Sequence, residues 1–307
     1  MMDGVLAVWK PAGWTSHDVV AKVRGILKVK RIGHTGTLDP QVTGVLPLCI
    51  GRATRVVEYV QERPKSYEAV MQFGIATDTE DLTGTIVSEM PSVELTEQQI
   101  RDVLASFVGE IDQVPPMFSA VRVDGKRLYE LAREGQVVER QSRRVTIYKL
   151  ELLELQLNQP RPLIRFSVVC SKGTYIRTLC VDIGKALNVP AAMAELTRTM
   201  SGGFTREQCL TLEEIAQLKA SGTIEDKLMA SDEALDHFPR VTVSAADVQR
   251  AFQGKRIPLR GLLEQNAFEQ DSLLRVYGED GLFAGLFQPD DETQSLKAVK
   301  VFTPTAE

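Results

Sequence analysis

The sequence predicts an α+β protein in which a large mixed unit precedes a small β-rich unit. Up to about residue 235, segments that alternate apolar and polar residues, as strands do, are mixed with segments of helical period. The residues Asp236-His237-Phe238-Pro239 indicate a boundary, beyond which short strand-like segments and turns dominate. A chain of 307 residues is long enough for one sizeable core and a smaller unit, so we expect domains at 1–236 and 237–307.

The first 30 residues predict a buried strand, a tight turn and a helix. The apolar run at residues 5–9 is typical of a short buried strand, and residues 10–14, with Pro11 and Gly13, predict the turn. We expect Ser16 to cap the helix that follows. The apolar residues at helical spacing in this segment are Val19, Val20, Val23, Ile26 and Leu27.

Two strands and two helices are predicted between residues 66 and 190. Tyr67 begins a run in which every second residue is apolar, so this strand should be buried on one face. Thr96 and Gln99 have the spacing of a capping box and predict the start of a helix. The segment 165–170 predicts a second strand. Residues 171–174 predict a turn that leads into a helix, and this helix ends before Pro190.

The segment 113–144 is predicted to be a basic excursion from the core. It contains a Pro115-Pro116 break and an Asp124-Gly125 hairpin turn. Its basic residues are Arg122, Lys126, Arg127, Arg133, Arg140, Arg143 and Arg144. Charge is also sorted elsewhere, because residues 1–65 hold ten Lys and Arg against five Asp and Glu, whereas residues 76–112 hold one against nine. Since screening limits each field to about 8–10 Å, basic clusters can bind phosphates although the net charge is −5.

Beyond residue 239, the sequence predicts a small barrel-like unit. Strand-like segments at 274–277, 282–284 and 298–302 surround a turn at 278–281. A module of this size is more typical of a binding appendage than of a second catalyst.

Composition also bears on location and on metal binding. No apolar run approaches the roughly 18–20 residues that span a bilayer, and the N-terminus lacks the features of a signal peptide, so we expect a cytoplasmic protein. The four cysteines show no Cys-x-x-Cys spacing and are predicted to be reduced thiols. The three histidines, His17, His34 and His237, are too scattered to predict a metal site.

The most unusual stretch of the sequence runs from Gly33 to Pro40 and is followed by Gly44. Two glycines and a proline restrict the backbone around the carboxylate of Asp39, although an ordinary turn explains this composition about as well. A fixed carboxylate can form covalent intermediates, but in an apolar cleft it needs a cation that favours its ionised form. Arg177, in the first turn of a predicted helix, is the candidate, through a planar bidentate contact.

Several ordered motifs over about 200 residues resemble those of the bacterial tRNA pseudouridine-55 synthase family. They are Lys10-Pro11-Ala12-Gly13-Trp14-Thr15-Ser16-His17-Asp18, the segment 33–44, Ser171-Lys172-Gly173-Thr174-Tyr175-Ile176-Arg177-Thr178-Leu179, Leu196-Thr197-Arg198-Thr199 and Ser201-Gly202. The basic segment 115–127 also resembles the RNA-gripping insertion of that family. Such an ordered set is far more specific than any single motif.

This resemblance implies a pseudouridine synthase fold, with a mixed, largely antiparallel sheet flanked by helices, an RNA cleft and a C-terminal PUA-like domain. It implies an enzyme that isomerises uridine 55 in the T-loop of tRNA to pseudouridine after flipping the base out. We expect a stand-alone monomer that binds the T-arm and needs no cofactor, metal, guide RNA or obligatory protein partner. By motif position, Asp39 matches the catalytic aspartate of the family, Tyr67 the tyrosine that stacks on the target uracil and Arg177 the arginine that pairs with the aspartate.

Further residues are assigned to substrate binding. Tyr175 and Lys172 lie in the same motif as Arg177 and are expected to approach the base or its phosphate, and His34 is expected to face the RNA. The remaining residues assigned to RNA contact are Lys10, Arg122, Lys126, Arg127 and Arg143.

The chemical route and three rival functions stay open at this point. Asp39 could attack C1′, add to C6 of the base or assist a glycal route, and the base that removes the C5 proton is not identified. A non-catalytic RNA-binding protein would not need Asp39 and Arg177 together. An aspartyl-phosphate phosphotransferase is disfavoured because the sequence has no convincing Walker-type loop or magnesium-binding carboxylate cluster. A synthase that depends on guide RNA is disfavoured because no extra terminal extensions are evident.

Overall fold

The computed structural model describes residues 2–123, 125–262 and 272–304. The strands within these residues are β1 (Gly4–Lys10), β2 (Ile32–His34), β3 (Thr43–Ile50), β4 (Lys65–Phe73), β5 (Ile75–Thr77), β6 (Ile86–Glu89), β7 (Gly109–Gln113), β8 (Arg122–Val123), β9 (Lys126–Arg127), β10 (Arg143–Gln156), β11 (Leu163–Cys170), β12 (Ala191–Ser201), β13 (Phe204–Thr205), β14 (Arg240–Val243), β15 (Ile257–Pro258), β16 (Leu274–Gly278), β17 (Phe283–Asp290) and β18 (Ser295–Val301). The α-helices are α1 (Ser16–Leu27), α2 (Val57–Glu62), α3 (Glu97–Ser106), α4 (Leu128–Arg133), α5 (Ile176–Ala186), α6 (Leu212–Ser221) and α7 (Ala245–Phe252). Short 3₁₀ turns occur at Gly51–Val56, Arg206–Gln208, Ile224–Lys227, Glu233–Leu235 and Leu259–Gly261.

The larger sheet has the strand order β1-β3-β12-β4-β11-β10-β7, with β2 beside β3 and β13 beside β12. Its neighbouring strands are antiparallel except for β3 and β12, which are parallel. This confirms the predicted mixed and largely antiparallel sheet. In β4 the alternation is also confirmed, because Tyr67, Ala69, Met71 and Phe73 are all buried.

Helices cover this sheet through two hydrophobic clusters. Helices α3 and α5 supply Ile100 and Leu179 to the cluster that contains Met71 of β4. Helices α1 and α6 pack, through Val23 and Ile215, with residues of β1 and β3. Burying one such aliphatic side chain contributes about 1.5–3 kcal/mol, which is why the apolar stripes of the helices lie against the sheet.

The N-terminus of α1 differs from the prediction in a way that matters for the loop around Asp39. Thr15, and not Ser16, caps the helix: its side chain accepts a hydrogen bond from the Asp18 amide at 3.0 Å, and the Asp18 carboxylate accepts one from the Thr15 amide at 2.9 Å. The Ser16 hydroxyl instead accepts a hydrogen bond from the Leu38 amide at 2.9 Å. Ser16 therefore ties the helix to the residue before Asp39.

The basic insertion leaves the sheet and returns to it at one place, because Gln113 at the end of β7 is the register partner of Arg143 at the start of β10. Arg143 is therefore a residue of the sheet. The predicted hairpin is present as the β8–β9 pair, in which Arg122 lies opposite Arg127, and Gly125 has a φ of +84°. Asp124, the other residue of the predicted turn, lies outside the described residues.

The C-terminal sheet has the order β14-β16-β17-β18-β15 and confirms the predicted β-rich unit, although β14 and α7 were not predicted. It contacts the larger unit through the segment 51–62. The Arg55 guanidinium lies 5.1 Å from the centroid of the Phe302 ring, and Lys300 Nζ lies 2.8 Å from Glu58 Oε1. Among the described residues, no helix is both long and apolar enough to cross a membrane.

Candidate active site

A cleft of about 260 Å³ lies beside strands β4 and β12 and the N-terminus of α5. It is lined by Gly36, Thr37, Leu38, Asp39, Val42, Gln61, Lys65, Tyr67, Ser119, Ala120, Ser171, Lys172, Gly173, Thr174, Tyr175, Ile176, Arg177, Leu196 and Arg198. The structure thus brings Asp39 and Tyr67 to the same site as Lys172, Tyr175 and Arg177, which lie more than 100 residues further along the sequence.

Asp39 and Arg177 form an ion pair in this cleft, with 3.0 Å between Arg177 Nε and Asp39 Oδ2. The contact is not the expected bidentate one, because the two terminal nitrogens of Arg177 are used elsewhere. Nη1 donates to the Thr79 carbonyl at 2.8 Å, and Nη2 donates to the Phe118 carbonyl at 2.7 Å. The guanidinium therefore links the Asp39 loop, the loop after β5 and the basic insertion.

The two partners differ in exposure. The Arg177 side chain is 6% exposed, whereas the Asp39 side chain is 42% exposed. A buried guanidinium with three fixed acceptors has little freedom to move, while the carboxylate beside it remains open to the cleft. This arrangement suits a carboxylate that must reach a substrate.

Lys10, which was predicted to contact RNA, lies inside the protein against the backbone of the Asp39 loop. It is 0% exposed, and its Nζ donates to the carbonyls of Pro11 at 2.9 Å, Trp14 at 2.5 Å and Pro40 at 3.0 Å. All three ammonium protons are thereby used, so none is free for a phosphate. Burial lowers the pKa of Lys10 to about 8, against the opposing effect of the Asp39 charge.

Arg198 is a second buried support, which the sequence analysis quoted in a motif but did not assign to the site. It is 1% exposed, and its guanidinium donates to the Val45 carbonyl at 2.7 Å and the Gly36 carbonyl at 3.1 Å. Gly44, with a φ of +124°, allows β3 to approach β12, because a Cβ at this position would lie 2.2 Å from the Arg198 carbonyl oxygen. A glycine is therefore required here.

Two tyrosines form aromatic walls of the cleft. Tyr67 is 8% exposed, and burial raises its pKa although the Arg198 charge and hydrogen bond oppose the rise. Burial also raises the pKa of Tyr175, against the effects of the Ser119 hydroxyl and of the positive charges on Arg143 and Arg177. Both phenols are therefore protonated near neutral pH.

The position of Tyr175 depends on Gln113, a buried residue that the sequence analysis named only as the start of the insertion. The Gln113 side chain accepts a hydrogen bond from the Tyr175 amide at 2.7 Å and donates one to the Tyr175 carbonyl at 3.0 Å. This pair of bonds fixes the residue that precedes α5. No local pattern in the sequence marks such a contact between distant segments.

Lys172 and His34 occupy different positions relative to the cleft. Lys172 lines it, and its Nζ lies 2.5 Å from Glu62 Oε1. His34 is partly buried outside the lining, where its Nδ1 accepts a hydrogen bond from the Gly36 amide at 3.3 Å and its ring meets that of His17 at 5.9 Å. Burial lowers the pKa of His34, and the charges of His17 and Arg198 act in the same direction.

The other residues assigned to RNA contact lie outside the lining of the cleft. Arg122 and Arg143 are exposed. Lys126 Nζ lies 3.3 Å from Glu134 Oε2, and Arg127 Nη1 donates to the Tyr129 hydroxyl at 2.9 Å. All four of these cations therefore lie within the segment 113–144 and do not line the cleft. In the part of the chain that the structure describes, no group of three or more His, Cys, Asp or Glu side chains is placed to hold a metal ion.

Two family models match consecutive parts of the chain. The TruB family pseudouridylate synthase (N terminal domain) matches residues 24–176, and the tRNA pseudouridylate synthase B C-terminal domain matches residues 177–238. The border falls between Ile176 and Arg177, so the Asp39–Arg177 ion pair joins the two matched segments.

Known proteins agree with this match over nearly the whole chain. The tRNA pseudouridine synthase B of Bacillus licheniformis is 44% identical over 310 residues, covering 100% of both chains. The protein of the same name from Symbiobacterium thermophilum is 52% identical over 253 residues, covering 82% of each. A chain in the solved structure "Crystal Structure of a Cbf5-Nop10-Gar1 Complex" superposes with a TM-score of 0.78 at 29% identity, covering 99% of this chain and 86% of that one. The chain therefore belongs to the TruB family of pseudouridylate synthases.

Proposed function

We propose that this pseudouridine synthase isomerises uridine 55 in the T-loop of tRNA, acting as a stand-alone monomer without metal or organic cofactor. The observation that carries the proposal is the exposed Asp39 carboxylate, paired with the buried Arg177 between two tyrosines. The choice of tRNA is supported by the curated relatives, which bear the name tRNA pseudouridine synthase B.

The reaction needs a pocket that holds every fragment of the substrate. The N1–C1′ bond breaks, the uracil turns, C5 joins C1′ and the C5 proton is lost as N1 gains one, so the nucleoside undergoes no net oxidation or reduction. Asp39 serves as the nucleophile, at C1′ or at C6, or assists elimination to a glycal. In all three routes a carboxylate must reach the nucleoside while the protein holds the base nearby.

Tyr67 has the stacking role in this proposal. The target nucleoside must leave the RNA stack, which costs a few kcal/mol, and stacking on an aromatic side chain recovers about 1–3 kcal/mol. Tyr67 lines the cleft together with Asp39, and it lies on β4 opposite Arg198 of β12. Tyr175 closes the cleft beside Arg177. Lys172 leaves its ion pair with Glu62 when RNA binds and contacts the phosphate next to the target nucleoside.

Apart from the target nucleoside, the T-arm binds outside the cleft, against exposed cations of the insertion and against the C-terminal sheet. Arg122 and Lys126 lie on a two-stranded hairpin that projects from the core. Phe118, near the start of the same insertion, contacts Arg177 through its carbonyl, so RNA binding on the insertion is linked to the catalytic pair by one short segment.

The decisive experiment incubates an unmodified tRNA transcript with the purified protein alone and maps pseudouridine by position. We expect near-stoichiometric conversion at position 55, none in a transcript with cytidine at 55, and no loss of rate after treatment with a chelator. Pseudouridine only at another position, or only after a guide RNA or a second protein is added, would contradict the proposal.

A second readout separates catalysis from RNA binding. Tritium at C5 of uridine is released to water only when C5 forms its bond to C1′, so release that accompanies conversion at position 55 establishes turnover. Binding of the transcript without release would favour a non-catalytic RNA-binding protein. Acid-labile phosphate on the protein would instead favour a phosphotransferase.

A further inference from the structure

The loop between β5 and β6 supplies one of the three acceptors of Arg177, and Glu80 of this loop contacts other elements of the fold. Glu80 has a φ of +66°, which side-chain-bearing residues rarely adopt. Such a conformation persists where surrounding contacts determine it. Its peptide neighbour Thr79 carries the carbonyl that accepts from Arg177 Nη1 at 2.8 Å.

Glu80 makes contacts in two directions. Its Oε2 accepts a hydrogen bond from the Thr178 hydroxyl at 2.5 Å, and its carbonyl accepts one from the Met193 amide at 3.0 Å. Thr178 is the residue after Arg177 in α5, and Met193 belongs to β12. The loop is therefore pinned to the helix that carries the arginine and to the sheet beneath it.

We propose that Glu80 is a positioning residue for catalysis, which fixes the Thr79 carbonyl so that the Arg177 guanidinium presents Nε to Asp39. This inference rests on the proposed role of the Asp39–Arg177 pair. With Nη1 and Nη2 held by Thr79 and Phe118, Nε has one direction left, and it points at Asp39. Loss of the Thr79 acceptor would let the guanidinium rotate away from the carboxylate.

The surroundings of Glu80 agree with a fixed carboxyl group. Its side chain is largely buried, and burial raises its pKa, while the Thr178 hydroxyl and the Arg177 charge lower it. Further along α5, the charge of Asp182 raises the pKa of Glu80 and that of Lys185 lowers it. The sequence analysis did not single out Glu80, because an acidic residue in a polar loop gives no local sign that it is held by a helix.

The experiment compares Glu80→Gly, which relieves the left-handed backbone but removes the carboxylate, with Glu80→Gln, which keeps an acceptor for Thr178. Single-turnover rates and dissociation constants are measured on the same tRNA transcript. We expect Glu80→Gly to lower the rate about 10- to 100-fold while tRNA affinity stays within about threefold, and Glu80→Gln to stay within about threefold in both. Asn188→Gly is the matched control, because Asn188 also has a positive φ, of 57°, at the other end of α5. It should leave both quantities unchanged.

A second pair of variants tests the contact from the other side. Thr178→Val removes the hydroxyl with little change of shape and should lower the rate as Glu80→Gly does, and Thr178→Ser should restore it. Thermal melting of each variant establishes whether it is folded. An unchanged rate in both folded Glu80→Gly and folded Thr178→Val would overturn the proposal.

The final comparison asks whether Glu80 acts through the arginine. In an Arg177→Lys background, Glu80→Gly should slow the reaction by less than about threefold, because the guanidinium that it positions is already absent. An equal slowing in both backgrounds would show a general structural role and would overturn the inference. Failure of the unmodified protein to convert position 55 would instead contradict the proposed function, so the two failures are distinct.

Discussion

Three buried basic residues near the cleft and two exposed basic residues of the insertion carry the same charge in different surroundings. Near the cleft, Lys10, Arg177 and Arg198 are buried, and backbone carbonyl oxygens accept hydrogen bonds from each of them. In the insertion, Arg122 and Lys126 are exposed. Lys126 forms an ion pair with Glu134, with 3.3 Å between Nζ and Oε2.

This difference separates cations that hold the protein's own backbone in place from cations that can bind a partner. A buried carbonyl that loses its donor costs about 1–3 kcal/mol, so a cation surrounded by carbonyls is fixed in place. An exposed ion pair contributes about 0–1 kcal/mol, and its cation can exchange the carboxylate for a phosphate at little cost. The catalytic site needs the first kind, and RNA binding needs the second.

Removing the reactive carboxylate should give the largest effect. We expect Asp39→Asn to lower turnover by at least about 10⁴-fold while tRNA affinity changes by no more than a few fold, because the amide keeps the shape but is not a nucleophile. Pseudouridine formation and filter binding are measured on the same transcript. Asp102→Asn, on the exposed side of α3, is the matched control and should behave as the unmodified protein. Substantial turnover by Asp39→Asn would remove Asp39 from the nucleophilic role.

Replacing the guanidinium while keeping its charge should have the next largest effect. Arg177→Lys retains one positive charge, but a single ammonium cannot reach Asp39, Thr79 and Phe118 from one plane. We expect the rate to fall about 100-fold with little change in tRNA affinity. Arg161→Lys, at an ion pair with Glu89 on the surface, should change the rate by less than twofold. Near-normal turnover by Arg177→Lys would show that charge alone is sufficient.

Removing a buried support should affect both stability and rate. Lys10→Met leaves three carbonyls without their ammonium donor, and one of them belongs to Pro40, directly after Asp39. We expect unfolding free energy to fall by about 1–3 kcal/mol in urea titrations, and the single-turnover rate to fall about tenfold. The exposed Lys149, paired with Glu151, gives the control: Lys149→Met should change stability by less than about 0.5 kcal/mol. Equal effects of the two substitutions would contradict the assignment of Lys10 to the loop.

Much of the fold could be predicted because its elements are marked by local patterns. The alternation from Tyr67 to Phe73 gave β4, and the spacing of Thr96 and Gln99 gave α3. The same rule applies at α1, where Thr15 and Asp18 also have capping-box spacing, although the prediction placed the cap at the neighbouring Ser16. Strand β14 has only 4 residues and helix α7 only 8, so neither is long enough to show a clear strand or helix period in the sequence.

The site could be predicted only as far as residue types reveal it. The resemblance identified Asp39 and Arg177, and the structure brings them together. The acceptors that orient Arg177 are main-chain carbonyls, which every residue has, so no side chain in the sequence marks them. The burial of Lys10 could not be predicted either, because the sequence does not show whether a lysine in a turn faces solvent or contacts three backbone carbonyls.

Removing the exposed cations of the insertion should have the smallest effect, and it should change tRNA binding without changing the rate of the bound complex. We expect the double variant Arg122→Gln with Lys126→Gln to raise KM for tRNA about 3- to 10-fold with kcat unchanged. The slope of log affinity against log salt should become shallower by about 0.7–0.9 for each phosphate that the protein no longer binds. Arg101→Gln, at an exposed ion pair with Glu97 on α3, is the control and should leave KM and the slope unchanged. If the double variant instead lowered kcat at constant KM, these cations would act on the catalytic pair through Phe118, and the distinction between positioning and binding cations would not hold for the insertion.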